Sequence, residues 1–198
     1  MLTAWGYEVS GDSLPPLLSE DDFDEMTGGR YADDLRASAA LSAASQAVRN
    51  ACGWHVSPSL DCTAVPLLVQ PRLVALPANM VTAVTAVREL GAELSDGEYE
   101  WRRDGLVRRA CFKCWPKSWN AVEVEYTAGF DAAAAPDLAE AVRAIAEGVL
   151  AVAAGVTSES ADGVSISYAS SASSVAAALT EQQRAALSPY RLVRSYAA

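Results

Sequence analysis

Five side chains of this sequence are of the types that bind soft metal ions or act as nucleophile and base: Cys52, His55, Cys62, Cys111 and Cys114. Three fall within ACGWHVSPSLDC (residues 51–62), and the other two make up CFKC at 111–114. A Cys/His donor set suits zinc, and C-x-x-C is a workable knuckle. Two features count against a metal. Cys52 and His55 fall at a helix-to-strand break, and CFKC lacks the glycine that helps a knuckle turn. Thiols buried as small hydrophobes are the simpler reading. A Cys–His nucleophilic pair fits less well still. Cys52 stands at the end of a helix, where the dipole raises a thiol pKa, and the sequence has no second histidine. His55 is therefore expected to be structural, hydrogen-bonding between helix and sheet.

Other patterns with catalytic overtones dissolve in the same way. The paired acids Asp21-Asp22 and Asp33-Asp34 are accounted for by helix-end electrostatics. Gly28-Gly29-Arg30 has no lysine-serine continuation, so it is no phosphate loop. Trp101, Trp115 and Trp119, interleaved with Arg102, Arg103, Arg108, Arg109, Lys113 and Lys117, could stack on single-stranded nucleic acid. The plainer expectation is a hairpin with a basic polar face and tryptophans in the core, its basic patch facing an acidic neighbouring subunit. No enzyme and no cofactor is expected.

The charge balance points the same way. Fifteen basic residues against 25 acidic ones give a formal net charge of −10, which disfavours a protein that clamps or reads nucleic acid. A negative lining would, however, let a duplex slide past. The charge is unevenly distributed: residues 1–30 carry seven acids and one base, and residues 98–117 six bases and three acids. Alanine-rich apolar content suggests burial completed by partner copies. No basic-then-apolar leader opens the sequence, and no apolar run approaches the ~20 residues of a membrane span. The four cysteines are expected to be reduced thiols in a cytoplasmic environment.

The elements that must hold these residues can be read from caps and periodicity. Ser19 caps a short acidic helix that stops at Gly28-Gly29. A second helix is expected from about Tyr31 to Ala51, with Leu35, Ala39, Ser42 and Gln46 on one packed side and Leu41, Ala44 and Val48 on the other. Gly53 ends it in the left-handed cap position. From 54 to 130 the prolines punctuate short β-type runs: VPLLV, RLVAL, VTAVTAV, a hairpin in YEWRRDGLVRR bending at Asp104-Gly105, and the alternating AVEVEYTAG. A third helix runs from Asp137 to Ala154, with Leu138, Val142, Ile145, Val149 and Val152 as its stripe. GVSISYA is a candidate strand, and Thr180 caps a last short helix, TEQQRAAL. The fold class is α+β. Residues 1–53 and 131–198 are expected to form a helical core with a C-terminal docking tail, and residues 54–130 an inserted antiparallel β-rich module.

This order of features resembles the head-to-tail connector, or adaptor, proteins of long-tailed bacteriophages, especially those infecting actinobacteria. The resemblance rests on SQAVRNACGWHVSP, LPANMVTAVTAVRELG, YEWRRDGLVRR, Trp115-Pro116, VEVEYTAGF, an Asp-Leu helix and ALSPYRLVR, in that sequence. CGWHVSP and VEVEYTAGF are the most specific, and the whole runs from about residue 17 to about residue 194. The chain departs from the pattern at Ala128, where related sequences often carry histidine, and in its CFKC segment, which leaves an opening for metal or local rearrangement. The resemblance implies a non-enzymatic virion protein in the neck, in a ring usually of twelve copies beneath the portal. Such a ring extends the DNA channel and offers a platform to stopper or tail-terminator proteins. It implies portal contact through Tyr190, Arg191, Leu192, Val193 and Arg194. Acids at Glu20, Asp21, Asp22, Asp24, Glu25, Asp33 and Asp34 would line the channel or face a neighbouring subunit. Arg102, Arg103, Arg108 and Arg109 would make the basic side of that contact. Cys52, Gly53, Trp54 and His55 would form the structural junction. Double-stranded DNA would pass without sequence-specific binding, and no membrane is involved. The alternatives are another neck component, such as a stopper or tail-completion protein, or a small zinc-stabilised binding module.

Overall fold

Alternation decides where the sheets form. In Val122–Ala128 every second side chain is buried, and this strand lies at the centre of a five-stranded antiparallel sheet. The computed structural model describes residues 1–131, 134–151, 158–161, 164–167 and 179–192. The chain divides into two units, the first made of residues 1–15, 52–134 and 190–198, the second of 16–51 and 135–189. The fold is α+β.

The first unit holds two antiparallel sheets. One has the order β1-β2-β9-β5-β6, built from Glu8–Val9 (β1), Leu60–Ala64 (β2), Val81–Glu89 (β5), Ala92–Glu93 (β6) and Val122–Ala128 (β9). The other has the order β3-β4-β8-β7, from Leu67–Gln70 (β3), Leu73–Ala75 (β4), Tyr99–Trp101 (β7) and Leu106–Arg109 (β8). The runs expected as strands from 54 to 130 are strands, and the 99–109 hairpin turns through Asp104-Gly105 as its sequence indicates. Gly105 has φ +81°, and a Cβ there would stand 2.5 Å from the carbonyl oxygen of Ala78, so the turn admits only glycine.

The grouping differs from the expected one at both ends. Residues 1–15 belong with the sheets rather than with the helices, because Glu8 and Val9 pair with Thr63 and Cys62 of β2. Tyr7 and Val9 are both buried, a period-two signal too short to stand out in a segment that reads as irregular.

The second unit contains Glu20–Thr27 (α1), Ala37–Cys52 (α2, whose last residue opens the next segment of the first unit), Pro136–Ala151 (α3) and Glu181–Ala186 (α4). A hairpin of Ser158–Ala161 (β10) and Val164–Ser167 (β11) lies between α3 and α4 in sequence. Its second strand falls within GVSISYA. Ser19 caps α1, accepting from the Asp22 amide, and Gly28 closes it in the left-handed conformation. Thr180 and Gln183 form a full capping box on α4. Buried Leu138, Val142 and Ile145 form the α3 stripe, with Val149 half-buried; Val152 lies outside the described residues.

Helix α2 corrects the expected start and the expected two packed sides. It begins at Ala37, not near Tyr31, because Asp34 turns the chain: its carboxylate accepts from both the backbone and the guanidinium of Arg36. Only one stripe is buried, Ala37, Ala40, Leu41, Ala44, Ser45, Val48, Arg49 and Cys52, at steps of three and four. Ala39, Ser42 and Gln46 face solvent, and Leu35, ahead of the helix, is fully exposed.

Candidate assembly surfaces

The junction is built inward from Gly53, which ends α2 at φ +81°. Trp54 and His55 are both fully buried. The His55 backbone amide donates to the Tyr7 hydroxyl at 3.0 Å, and the same hydroxyl is hydrogen-bonded to Nδ1 at 2.8 Å. Nε2–H then donates to the Ala128 carbonyl at 2.9 Å, since a carbonyl can only accept. Both ring nitrogens are spent on protein partners, and the departure at Ala128 becomes a small buried residue whose backbone holds the histidine.

Among the described residues no three His, Cys, Asp or Glu side chains gather closely enough to hold a metal ion. Cys52 and Cys62 are buried free thiols, and Cys111 and Cys114 are exposed ones. Burial pushes Cys52 and Cys62 up to about 12, so they are neutral hydrophobes at any physiological pH.

The last described residues are tied to the junction. The Trp54 indole N–H donates to the Tyr190 carbonyl at 2.7 Å, and the Tyr190 ring meets Phe130 edge-on at 5.0 Å. Asn79 donates to the Arg191 carbonyl, and the Leu192 amide donates to Cys52 O at 2.8 Å. Tyr190 is therefore an anchor inside its own unit rather than a free docking side chain. Arg191 is exposed and Leu192 half-buried, while Val193 and Arg194 lie outside the described residues.

The candidate acids sit where a partner could meet them. Glu20, Asp21, Asp22, Glu25 and Asp33 are exposed and Asp24 is half-buried. Asp34 is committed to Arg36, whose guanidinium holds that carboxyl down at about 2. Glu20, Asp21, Asp22, Asp24, Glu25 and Asp33 form no salt bridge among the described residues.

The four candidate arginines do not act together. Arg102, Arg103 and Arg108 are exposed, with Arg102 paired to Asp104 and Arg108 to Glu100. Arg109 is only 4% exposed. Its Nε donates to Glu89 at 2.8 Å, one N–H donates to the Glu98 carbonyl at 2.6 Å, and its guanidinium lies 5.6 Å from the Trp115 ring. It joins β8 of one sheet to β5 of the other, so it cannot be offered to a neighbouring subunit. Trp115 is core as expected, but Trp101 is partly exposed and Trp119 is 96% exposed. Sequence reasoning had no means of separating these three tryptophans.

A surface that the sequence did not reveal lies beside Trp119. A groove of about 610 Å³ is walled by Val65, Pro66, Leu67, Leu68, Pro77 and Trp119, with Trp5 and Leu192 also lining it. Lys117 is the one charged residue in its lining.

No protein-family model matches the chain, and neither does any curated protein sequence. Solved structures do match. A chain in the neck of a native gene transfer agent (GTA) particle, computed with C12 symmetry, aligns with a TM-score of 0.62 at 20% identity, over 94% of this chain and 96% of that one. A chain in the neck of an empty GTA particle, computed with C6 symmetry, gives 0.61 at 21% identity over 95% and 96%. A chain in the virion of the native particle gives 0.61 at 20%, with the same coverage. What is shared is the fold. The alignments take in nearly the whole of each chain.

Proposed function

We propose that this chain is a structural protein of the neck of a tailed, phage-like particle, and specifically a head-to-tail adaptor. The observation that carries the reading is the full-length match in fold to chains of C12- and C6-computed particle necks. It agrees with the ordered motifs from CGWHVSP to VEVEYTAGF. The buried, fully bonded histidine and the neutral buried thiols favour an architectural rather than a catalytic use of the residues that first suggested chemistry.

In this reading copies assemble head to tail into a closed ring of twelve beneath the portal, a heterologous contact repeated around the axis. Exposed Arg102, Arg103 and Arg108 of one copy face unpaired acids of α1 on the next. Arg191 and the residues after it reach toward the portal, and the opposite side receives a stopper or tail-terminator protein. The acidic excess lets the duplex pass without a phosphate clamp. The particle is assembled from chains made in the host cytoplasm.

Imaging of assembled particles with this chain placed and counted tests the proposal. The expected outcome is a ring of twelve copies directly below the portal. A position further along the neck makes the chain a stopper or tail-completion protein, and absence from the particle removes the reading altogether.

A further inference from the structure

Apolar side chains crowd the open groove beside Trp119. Leu67 is 59% exposed, Val65 and Leu68 are exposed as well, and Trp119 stands almost free of the body. Contiguous apolar surface of this kind marks a place where another protein binds. All the lining residues belong to the first unit. Leu67 and Leu68 of β3, with Val74 and Ala75 of β4, come from the four-stranded sheet that also carries the 99–109 hairpin. Lys117, the one charged residue in the lining, forms no salt bridge among the described residues.

The second unit presents an apolar knob beside an unanswered acid. Leu35 is 99% exposed, more than any other large apolar side chain among the described residues. Its backbone is nonetheless held in place. The Ala37 amide donates to the Asp34 carbonyl at 2.8 Å, which makes Leu35 a central residue of a tight turn. The Asp34 amide donates in turn to the Tyr31 carbonyl at 2.9 Å, and the Tyr31 ring stacks on buried Phe23. The Asp34 carboxylate also accepts from the Arg36 backbone and guanidinium. A knob ordered before it meets a partner gives up less freedom on binding. Asp33, two residues earlier, is exposed and forms no salt bridge among the described residues.

We propose that Leu35 of one copy seats in the Trp119 groove of the next, with Asp33 set against Lys117. Three features select a second copy as the occupant. The charges are complementary, since an acid flanks the leucine and a lysine is the sole charge of the groove. Knob and groove are different patches on different units, so the contact is heterologous and passes from copy to copy. It is also continuous with the proposed contact between α1 and the hairpin, because Leu35 follows α1 in the second unit and β3 and β4 share the hairpin's sheet. The inference rests on the ring reading and supplies its apolar anchor, set inside a rim of exchanged charges.

Particles in which a variant replaces the wild-type chain provide the test. The variant is Leu35→Cys/Leu67→Cys with Cys111→Ser and Cys114→Ser, which removes the exposed native thiols. A short bifunctional maleimide should link it into a ladder of multimers on a denaturing gel, with peptide mass joining position 35 to position 67. Particles mixed from chains carrying one or the other new cysteine should give pairs and no ladder. Links confined to a single chain, or running to another neck protein, overturn the inference. No link within a ring that imaging shows below the portal also overturns it, and leaves the neck reading standing. Absence of the chain from the particle overturns both. If the cysteine variant does not assemble, incorporation decides the matter. Leu35→Asp should lower the copies per particle by about tenfold or more, whereas Leu35→Met should keep them. Both should leave urea unfolding of the isolated chain unchanged, because Leu35 is exposed there. Incorporation of Leu35→Asp at the wild-type level overturns the inference.

Discussion

At the scale of single residues, the histidine and cysteines that first suggested chemistry separate by burial. His55 could be read as structural because it stands beside a helix stop and the sequence has no second histidine. Its partners were not legible, because Tyr7 and Ala128 lie 48 and 73 residues away in sequence. Tyr7→Phe should cost about 2 kcal/mol in urea unfolding, since it removes the buried hydroxyl that bonds both the His55 amide and Nδ1; a change within error would mean that water replaces the hydroxyl. The thiols make a sharper contrast. An alkylating reagent at pH 8 should label Cys111 and Cys114 in the folded protein, as read by peptide mass, and reach Cys52 and Cys62 only in denaturant. The same burial gives a pH dependence. An unfolded thiol ionises near 9.0, whereas folded Cys52 and Cys62 hold their protons to about 12. The folded state therefore binds more protons between those values, and stability falls as pH rises through that window. Replacing both cysteines with alanine should flatten this part of the stability profile, and an unchanged slope would contradict the assignment.

At the scale of elements, the sequence was readable where a local rule governs the backbone. Ser19 and Thr180 cap their helices, Gly53 ends α2, and strict alternation marks Val122–Ala128 as a half-buried strand. It was unreadable where the deciding contact is distant. Nothing near Arg109 distinguishes it from Arg108, yet β8 alternation turns one to solvent and the other between the sheets toward Glu89. The same holds for α2, where serine and alanine on both sides hid which stripe is buried. Arg109→Met tests the clamp. Removing one partner of a largely buried pair costs 3–5 kcal/mol. Because Glu89 keeps partial exposure, the expected loss is at the lower end, about 3 kcal/mol by chemical denaturation. Adding Glu89→Gln should recover part of that loss, since no charge is then left unpaired. Equal losses in the single and double variants would show that Arg109 acts through packing on Trp115 rather than through its charge.

At the scale of the whole molecule, the informative asymmetry is between charges that are answered within the chain and charges that are not. The arginines of the 99–109 hairpin are mostly paired: Arg102 with Asp104, Arg108 with Glu100, and Arg109 with Glu89. The acids of α1 are not, although they are packed into eight residues, where mutual repulsion opposes folding of the isolated chain. The first-turn position of Glu20, Asp21 and Asp22 offsets part of that repulsion, and under the proposed ring the cluster would have one of two uses. If the acids face the channel, they keep phosphates from lodging on the wall. If they face the next copy, they hold the ring together through Arg103 and its neighbours. Charge reversal separates the two. Replacing Glu20, Asp21 and Glu25 with lysine should leave ring formation intact and slow DNA release from filled particles in the first case, the effect weakening as salt screens the phosphates. In the second case the rings themselves should fail to form, and reversing Arg103 to glutamate in the same chain should restore them. Particles that assemble normally and release DNA at the wild-type rate would exclude both uses and leave the acids as solubilising charge.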